Sequence, residues 1–219
     1  MDADNLIPWR SFDDLEAAAL RFLRQAHPSM GIPIPIETIV EQAGIDIVPI
    51  PGLRDAALEI DGFASLADRT IYVDAYIADR YERRYRFTLA HELSHLILHA
   101  ECAAEIRKRL GSLEAYRQFL LTLSKSDTAR FEAQAYHCAG ILLVPPQLFE
   151  GHIDSVVPEL KGCAHLARES GGPWNGIVDE AWLSLQDRLS ALFNVSQDVI
   201  ARRLERIKFT SETLEERLR

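Results

Sequence analysis

The chain has 219 residues, 47% hydrophobic and 26% charged, which is the balance of an ordinary folded protein and excludes a disordered one. A chain of this length can bury one good core and carry a small appended lobe. Its net charge of −9 argues against broad binding to DNA or to an anionic membrane, because both require a positive face. No stretch approaches the roughly eighteen apolar residues of a membrane span, and Met1-Asp2-Ala3-Asp4 places acid where a secretory signal would place base, so a cytoplasmic location is expected. Cys102, Cys138 and Cys163 are widely spaced with no Cys-x-x-Cys pair, as expected of reduced, packed thiols.

From Ser11, the spacing of Leu15, Ala18, Ala19, Phe22 and Leu23 predicts an amphipathic helix with Asp13 and Asp14 in its first turn. A short helix over 36–43 should end at Gly44, and a strand over 45–50 should follow, with Pro49 at its end or on a sheet edge. Segments 57–66 and 70–74, separated by Ala67-Asp68-Arg69, read as a hairpin. Asp79 and Glu82 resemble a capping box opening a helix that runs to about 99. Helical patterns follow over 103–123, bent at Gly111-Ser112, and over 129–144, capped by Asp127 or Thr128 and closed by Pro145-Pro146. Gly171-Gly172-Pro173 and Asn175-Gly176 mark a loop, and two last helices, 179–193 and 196–209, are joined by Asn194-Val195.

Within the helix that ends near 99 lies His91-Glu92-Leu93-Ser94-His95. Two histidines four apart are separated by about 40° around a helix and about 6 Å along it, so both imidazoles can reach one tetrahedral zinc ion. Glu92 can then address the open position and accept a proton from a water molecule whose pKa zinc lowers from 15.7 to roughly 7. His99 continues the spacing but would lie about 12 Å from His91 along the axis, too far for the same ion. The metzincin pattern would need Gly at position 98 and His at 101, where this chain has Leu98 and Glu101.

A third ligand must therefore come from a later helix, and Glu114 and Glu132 are the candidates. Glu132 lies in one stripe with Ala135, Tyr136, Ala139, Leu142 and Leu143, a face that should be buried, and a buried carboxylate needs a cation. Glu114 sits among Arg107, Lys108, Arg109 and Arg117, where a surface salt bridge is the simpler reading. Burial favours Glu132.

These residues resemble the ImmA/IrrE family of bacterial metallopeptidases, through Arg86-Phe87-Thr88-Leu89-Ala90-His91-Glu92-Leu93-Ser94-His95 with Leu98-His99, through Glu132-Ala133-Gln134-Ala135 with Leu142-Leu143-Val144-Pro145, and through Phe193-Asn194-Val195-Ser196 with Arg203-Leu204. The resemblance implies one zinc ion per chain held by His91, His95 and Glu132, with Glu92 as general base. It also implies a protein substrate, a helix-turn-helix repressor encoded nearby, whose cleavage switches on stress or mobile-element genes. Ser94, Tyr136 and Cys138 stand where the family usually has Gly, Asn and Phe. Tyr136, four residues after Glu132, could face the metal and stabilise an oxyanion, or could simply pack.

The fold expected is α+β: a zincin-like core over 1–150, with a small three-stranded twisted sheet packed on helices, and a helical extension over 151–219 that could form a helix-turn-helix-like substrate-recognition lobe. An extended substrate would add alongside Thr70, Ile71, Tyr72 and Val73. The alternative is a regulator of DNA-binding or toxin-antitoxin type with a non-proteolytic zinc site. Its DNA-binding form would rest on Arg188, Arg202, Arg203, Arg206 and Lys208, and the acidic total opposes it.

Overall fold

Ser11 accepts a hydrogen bond from the Asp14 amide while the Asp14 carboxylate accepts one from the Ser11 amide, a capping box that starts α1 (Phe12–Ala26). Leu15, Ala19 and Leu23 of the predicted stripe are buried, joined by Leu20, while Ala18 and Phe22 are half-buried. The computed structural model describes residues 7–54, 60–65, 69–99 and 124–219. The helical pattern over 103–123, with Glu114 and Cys102, lies outside the described residues.

The chain divides into two units, Met1–Leu143 and Val144–Arg219. In the first, α2 (Ile36–Gln42) ends before Gly44, which takes a left-handed φ of 69° and turns the chain into β1 (Asp46–Ile50). Strands β2 (Gly62–Ser65) and β3 (Thr70–Asp74) complete a mixed sheet of order β1-β3-β2, with β1 parallel and β2 antiparallel to β3. Pro49 is tolerated because, among the described residues, β1 is an edge strand that pairs with β3 alone.

Next come α3 (Ala75–Arg80) and α4 (Glu82–Leu98). The capping box expected at Asp79 and Glu82 does not form: Tyr81 occupies the N-cap of α4 without a side-chain cap, and Asp79 pairs with Arg80. The cap lies upstream, where Asp74 accepts from the amides of Tyr76 and Ile77 and also of Arg54. Burial raises the Asp74 pKa, but backbone amides outweigh it and leave it lowered, so this anchor holds at neutral pH and weakens as pH falls through the carboxylate range.

Helix α5 (Lys125–Leu143) starts four residues earlier than predicted, because Ser124 rather than Asp127 accepts the first amide bond. It packs against α4 and α1, and α4 also rests on β2 and β3. Leu89, Leu93, Ala135, Ala139 and Leu142 are all buried in this core, each leucine contributing roughly 1.5–3 kcal/mol relative to exposure.

The second unit is wholly helical. Pro145-Pro146 ends the region of α5 and opens α6 (Pro146–Glu169), so the division falls ahead of residue 150. The loop expected over 171–176 shrinks to a turn at Gly171-Gly172, because Pro173 caps α7 (Trp174–Phe193), which absorbs Asn175 and Gly176. Asn194, with φ of 50°, ends α7 at the predicted break, and Ser196 caps α8 (Gln197–Arg206), which stops short of the predicted 209; α9 (Ser211–Leu218) follows. Phe149 and Phe193 meet edge to face at 5.9 Å in the core of this unit. Arg203 is buried, Arg202 pairs with Asp198 and Arg188 with Glu159, so much of the cluster read as basic is neutralised or turned inward. Among the described residues, no helix is long and apolar enough to cross a membrane.

A Cβ added to Gly62 would lie 2.7 Å from both the Thr88 methyl and the Tyr72 carbonyl oxygen. Gly62→Ala should therefore cost about 1–3 kcal/mol and lower the thermal midpoint by several degrees; an unchanged midpoint would mean that β2 has slack against α4. The two described cysteines should also differ. Burial pushes the Cys138 thiol up to about 11, whereas Cys163 is exposed. Peptide mapping after native alkylation should find Cys163 modified and Cys138 protected until the protein is denatured.

Candidate metal centre

Small side chains let α4 and α5 approach. Ala90 and Ser94 on one and Ala135, Cys138 and Ala139 on the other are buried, the Ser94 hydroxyl donates to the Ala90 carbonyl at 2.7 Å, and it contacts the Cys138 thiol. The helical spacing of α4 then turns His91 and His95 to one side, where Glu132 of α5 meets them. His91 Nε2 lies 3.1 Å from Glu132 Oε2 and 3.1 Å from His95 Nε2, and His95 Nε2 lies 3.8 Å from Glu132 Oε2. One ligand-type atom from each of the three residues falls within 4.8 Å of the others, the only such metal-capable group among the described residues.

A cavity of about 370 Å³ opens over this cluster, lined by Ile60, Asp61 and Gly62 on one side and by Arg84, Phe87, Thr88, Glu92, Glu132 and Tyr136 on the other. The Glu132 side chain is 45% exposed at its mouth. Burial thus holds for the helical stripe around Glu132 and only in part for its carboxylate, which meets His91 and His95 and remains half open to the cavity. Tyr136 lines the same cavity with its ring 5.0 Å from that of Phe87. Arg84 is held by a bidentate contact to Asp61.

Glu92 is 5% exposed, and its Oε2 is buried with no hydrogen-bond partner. Burial, opposed by the charge of His91 and by the Ala64 amide, pushes its pKa up to about 7. Burial also lowers the His91 pKa, but the hydrogen bond to Glu132 and the charges of Glu92 and Glu132 outweigh it, and the net shift is upward. His95 is pushed well down by burial and by the neighbouring His91 and His99.

Thr70, Ile71, Tyr72 and Val73, expected to receive substrate, do not reach the site. They form the middle strand, hydrogen-bonded to β1 on one edge and β2 on the other, with Thr70, Ile71 and Val73 buried. A central strand has no free edge on which to add another. The edge strand beside the cavity is β2, which begins at Gly62. Ile60, Asp61, Arg84 and Phe87 also line the cavity; Arg84 and Phe87 follow from the helical spacing with His91 on α4, Ile60 and Asp61 from no local signal.

The cluster fits a divalent ion. Its two imidazole nitrogens and one carboxylate oxygen form a suitable donor set, and the buried, unpartnered Glu92 oxygen beside it is an uncompensated cost that a bound polar guest would relieve. Metal binding needs both histidines neutral, and His91 holds its proton more tightly than a free imidazole. Calorimetric titration with a divalent metal should therefore give weaker affinity at pH 6 than at pH 8. Affinity that is unchanged between the two would overturn the place of His91 in the site.

No curated protein matches the chain. A family model does match: the Peptidase M78 family, described as the IrrE N-terminal-like domain, aligns with residues 40–153, a segment that contains α4, the cavity and Glu132. A match over more than half of the chain makes this protein a member of the Peptidase M78 family, the IrrE N-terminal-like peptidases, and the cluster of His91, His95 and Glu132 lies within the matched segment.

Proposed function

We propose that the chain is a zinc-dependent endopeptidase acting on a protein, with a helix-turn-helix transcriptional repressor encoded nearby as its target and derepression of stress or mobile-element genes as the result. The observation that carries this reading is the convergence of His91, His95 and Glu132 beside the buried, unpartnered carboxylate oxygen of Glu92. Two imidazoles and a carboxylate are the protein ligands of many catalytic zinc sites, which keep a fourth position open. Zinc held there would supply Lewis acidity, polarising the scissile carbonyl and acidifying a water molecule.

The remaining steps belong to the chain's own side chains. Glu92 takes the proton of the attacking water and passes it to the departing amine, a role served by a carboxylate whose pKa has been raised to about 7. An extended substrate adds along the edge of β2, where Ile60, Asp61 and Gly62 border the cavity, so that main-chain pairing sets its register. Phe87 and Tyr136 offer an aromatic wall to the side chain next to the cleaved bond. A cytoplasmic site of action belongs to the same proposal, since a repressor is met there.

Glu92→Gln tests the reading. Zinc content should stay near one per chain in wild type and variant alike, while cleavage of a co-expressed repressor should occur with wild type alone. Cleavage by Glu92→Gln would overturn the role of Glu92, and wild type without zinc would overturn the metal site. If Tyr136 donates to the developing oxyanion, Tyr136→Phe should lower kcat by about 10²–10³-fold with little change in KM. Full turnover by that variant would leave Tyr136 as part of the cavity wall.

A further inference from the structure

His99 lies too far along α4 to join the cluster, yet it is 1% exposed and hydrogen-bonded on both ring nitrogens. Its Nδ1 is 3.2 Å from His95 Nδ1, and its Nε2 is 3.0 Å from Gln134 Oε1. Gln134, 4% exposed, donates from its amide nitrogen to the Pro8 carbonyl at 2.8 Å. Phe131 stacks on both histidine rings, at 4.1 Å from His95 and 4.4 Å from His99.

The direction of every bond in this chain follows from its far end. A main-chain carbonyl only accepts, so Gln134 turns its amide nitrogen to Pro8 and its oxygen to His99. That oxygen also only accepts, so His99 carries its proton on Nε2 and leaves Nδ1 bare. His95 must then donate from Nδ1, which leaves the lone pair on Nε2, the atom 3.1 Å from His91 Nε2 in the ligand cluster. The N-terminal segment that supplies the carbonyl is tied down at two further points: Arg130 donates to the Ile7 carbonyl at 2.7 Å, and Arg10 donates to the Leu98 carbonyl at 3.1 Å.

We propose that Gln134 and His99, anchored on the Pro8 carbonyl, are positioning residues that lock His95 in the tautomer able to bind metal through Nε2, so that the N-terminal segment is part of the metal site. The proposal rests on the metal-site reading above and refines it. Outer hydrogen-bond partners of metal-binding histidines typically govern affinity by 10–100-fold.

The tautomer can be read without metal, from the nitrogen chemical shifts of histidine-labelled, metal-free protein at pH 8. Wild-type His95 should carry its proton on Nδ1, and a proton on Nε2 would overturn the proposal whatever the metal does. Zinc affinity, measured by chelator competition, should fall about 10–100-fold in Gln134→Leu, which removes the acceptor for His99. In Gln134→Glu, which keeps the acceptor for His99 but loses the donor to the Pro8 carbonyl, the loss should be smaller than in Gln134→Leu. Folded Gln134→Leu protein with wild-type affinity, or an equal loss in both variants, would overturn it. Wild type that binds no zinc would instead overturn the metal-site reading and leave the relay to be judged on the tautomer.

Discussion

Everything at the candidate site depends on the close packing of α4 against α5. Neither helix holds a complete donor set: α4 brings two imidazoles and the Glu92 carboxylate, α5 a single glutamate. They meet because the residues between them are small, with Ala90, Ser94, Ala135 and Ala139 all buried and the Ser94 hydroxyl turned back onto its own helix at the Ala90 carbonyl. A larger side chain at these positions would force the two helices apart and so separate Glu132 from His91 and His95. The same contact buries Cys138, whose thiol touches Ser94 and is held far from ionisation.

That packing also creates the electrostatic tension of the site. Glu92 is almost fully buried with one oxygen unpartnered, and Glu132 stands half exposed nearby, so two carboxylates share a small volume with one imidazole, His91, whose pKa is raised. Such an arrangement is costly for stability and useful for chemistry, since a carboxylate titrating near neutrality can both accept and return a proton. Proton placement and the geometry for binding a cation are two sides of one arrangement, because the His91 nitrogen that meets Glu132 is the one that would ligate a cation alongside it.

The sheet serves the site through its order. With β3 in the middle, hydrogen-bonded on both sides, β2 becomes the edge strand beside the cavity, and Gly62 lets it lie against Thr88 of α4 without a clash. The Ala64 amide on this strand reaches the Glu92 carboxylate. The strand that borders the cavity thus also orients a group within it.

Local signals carried much of this protein's organisation. The three-and-four periodicity of α1 and α4, the break between helices at Asn194-Val195 and the edge position of Pro49 are properties of short segments, and short-range sterics and hydrogen bonding decide them wherever the rest of the chain lies. The four-residue spacing of His91 and His95 is of the same kind, since one helix is enough to put both rings on one face. Strand order is not: β2 and β3 read as a hairpin, and nothing in either segment reveals that β1 returns parallel on the far side and closes the edge expected to take substrate. Glu132 was legible as a member of a stripe, but its half-exposed carboxylate depends on where α4 leaves a gap. The chain from Pro8 through Gln134 and His99 to His95 was wholly illegible, because its links are separated by up to 126 positions and acquire a direction only when folding brings an acceptor-only carbonyl to one end.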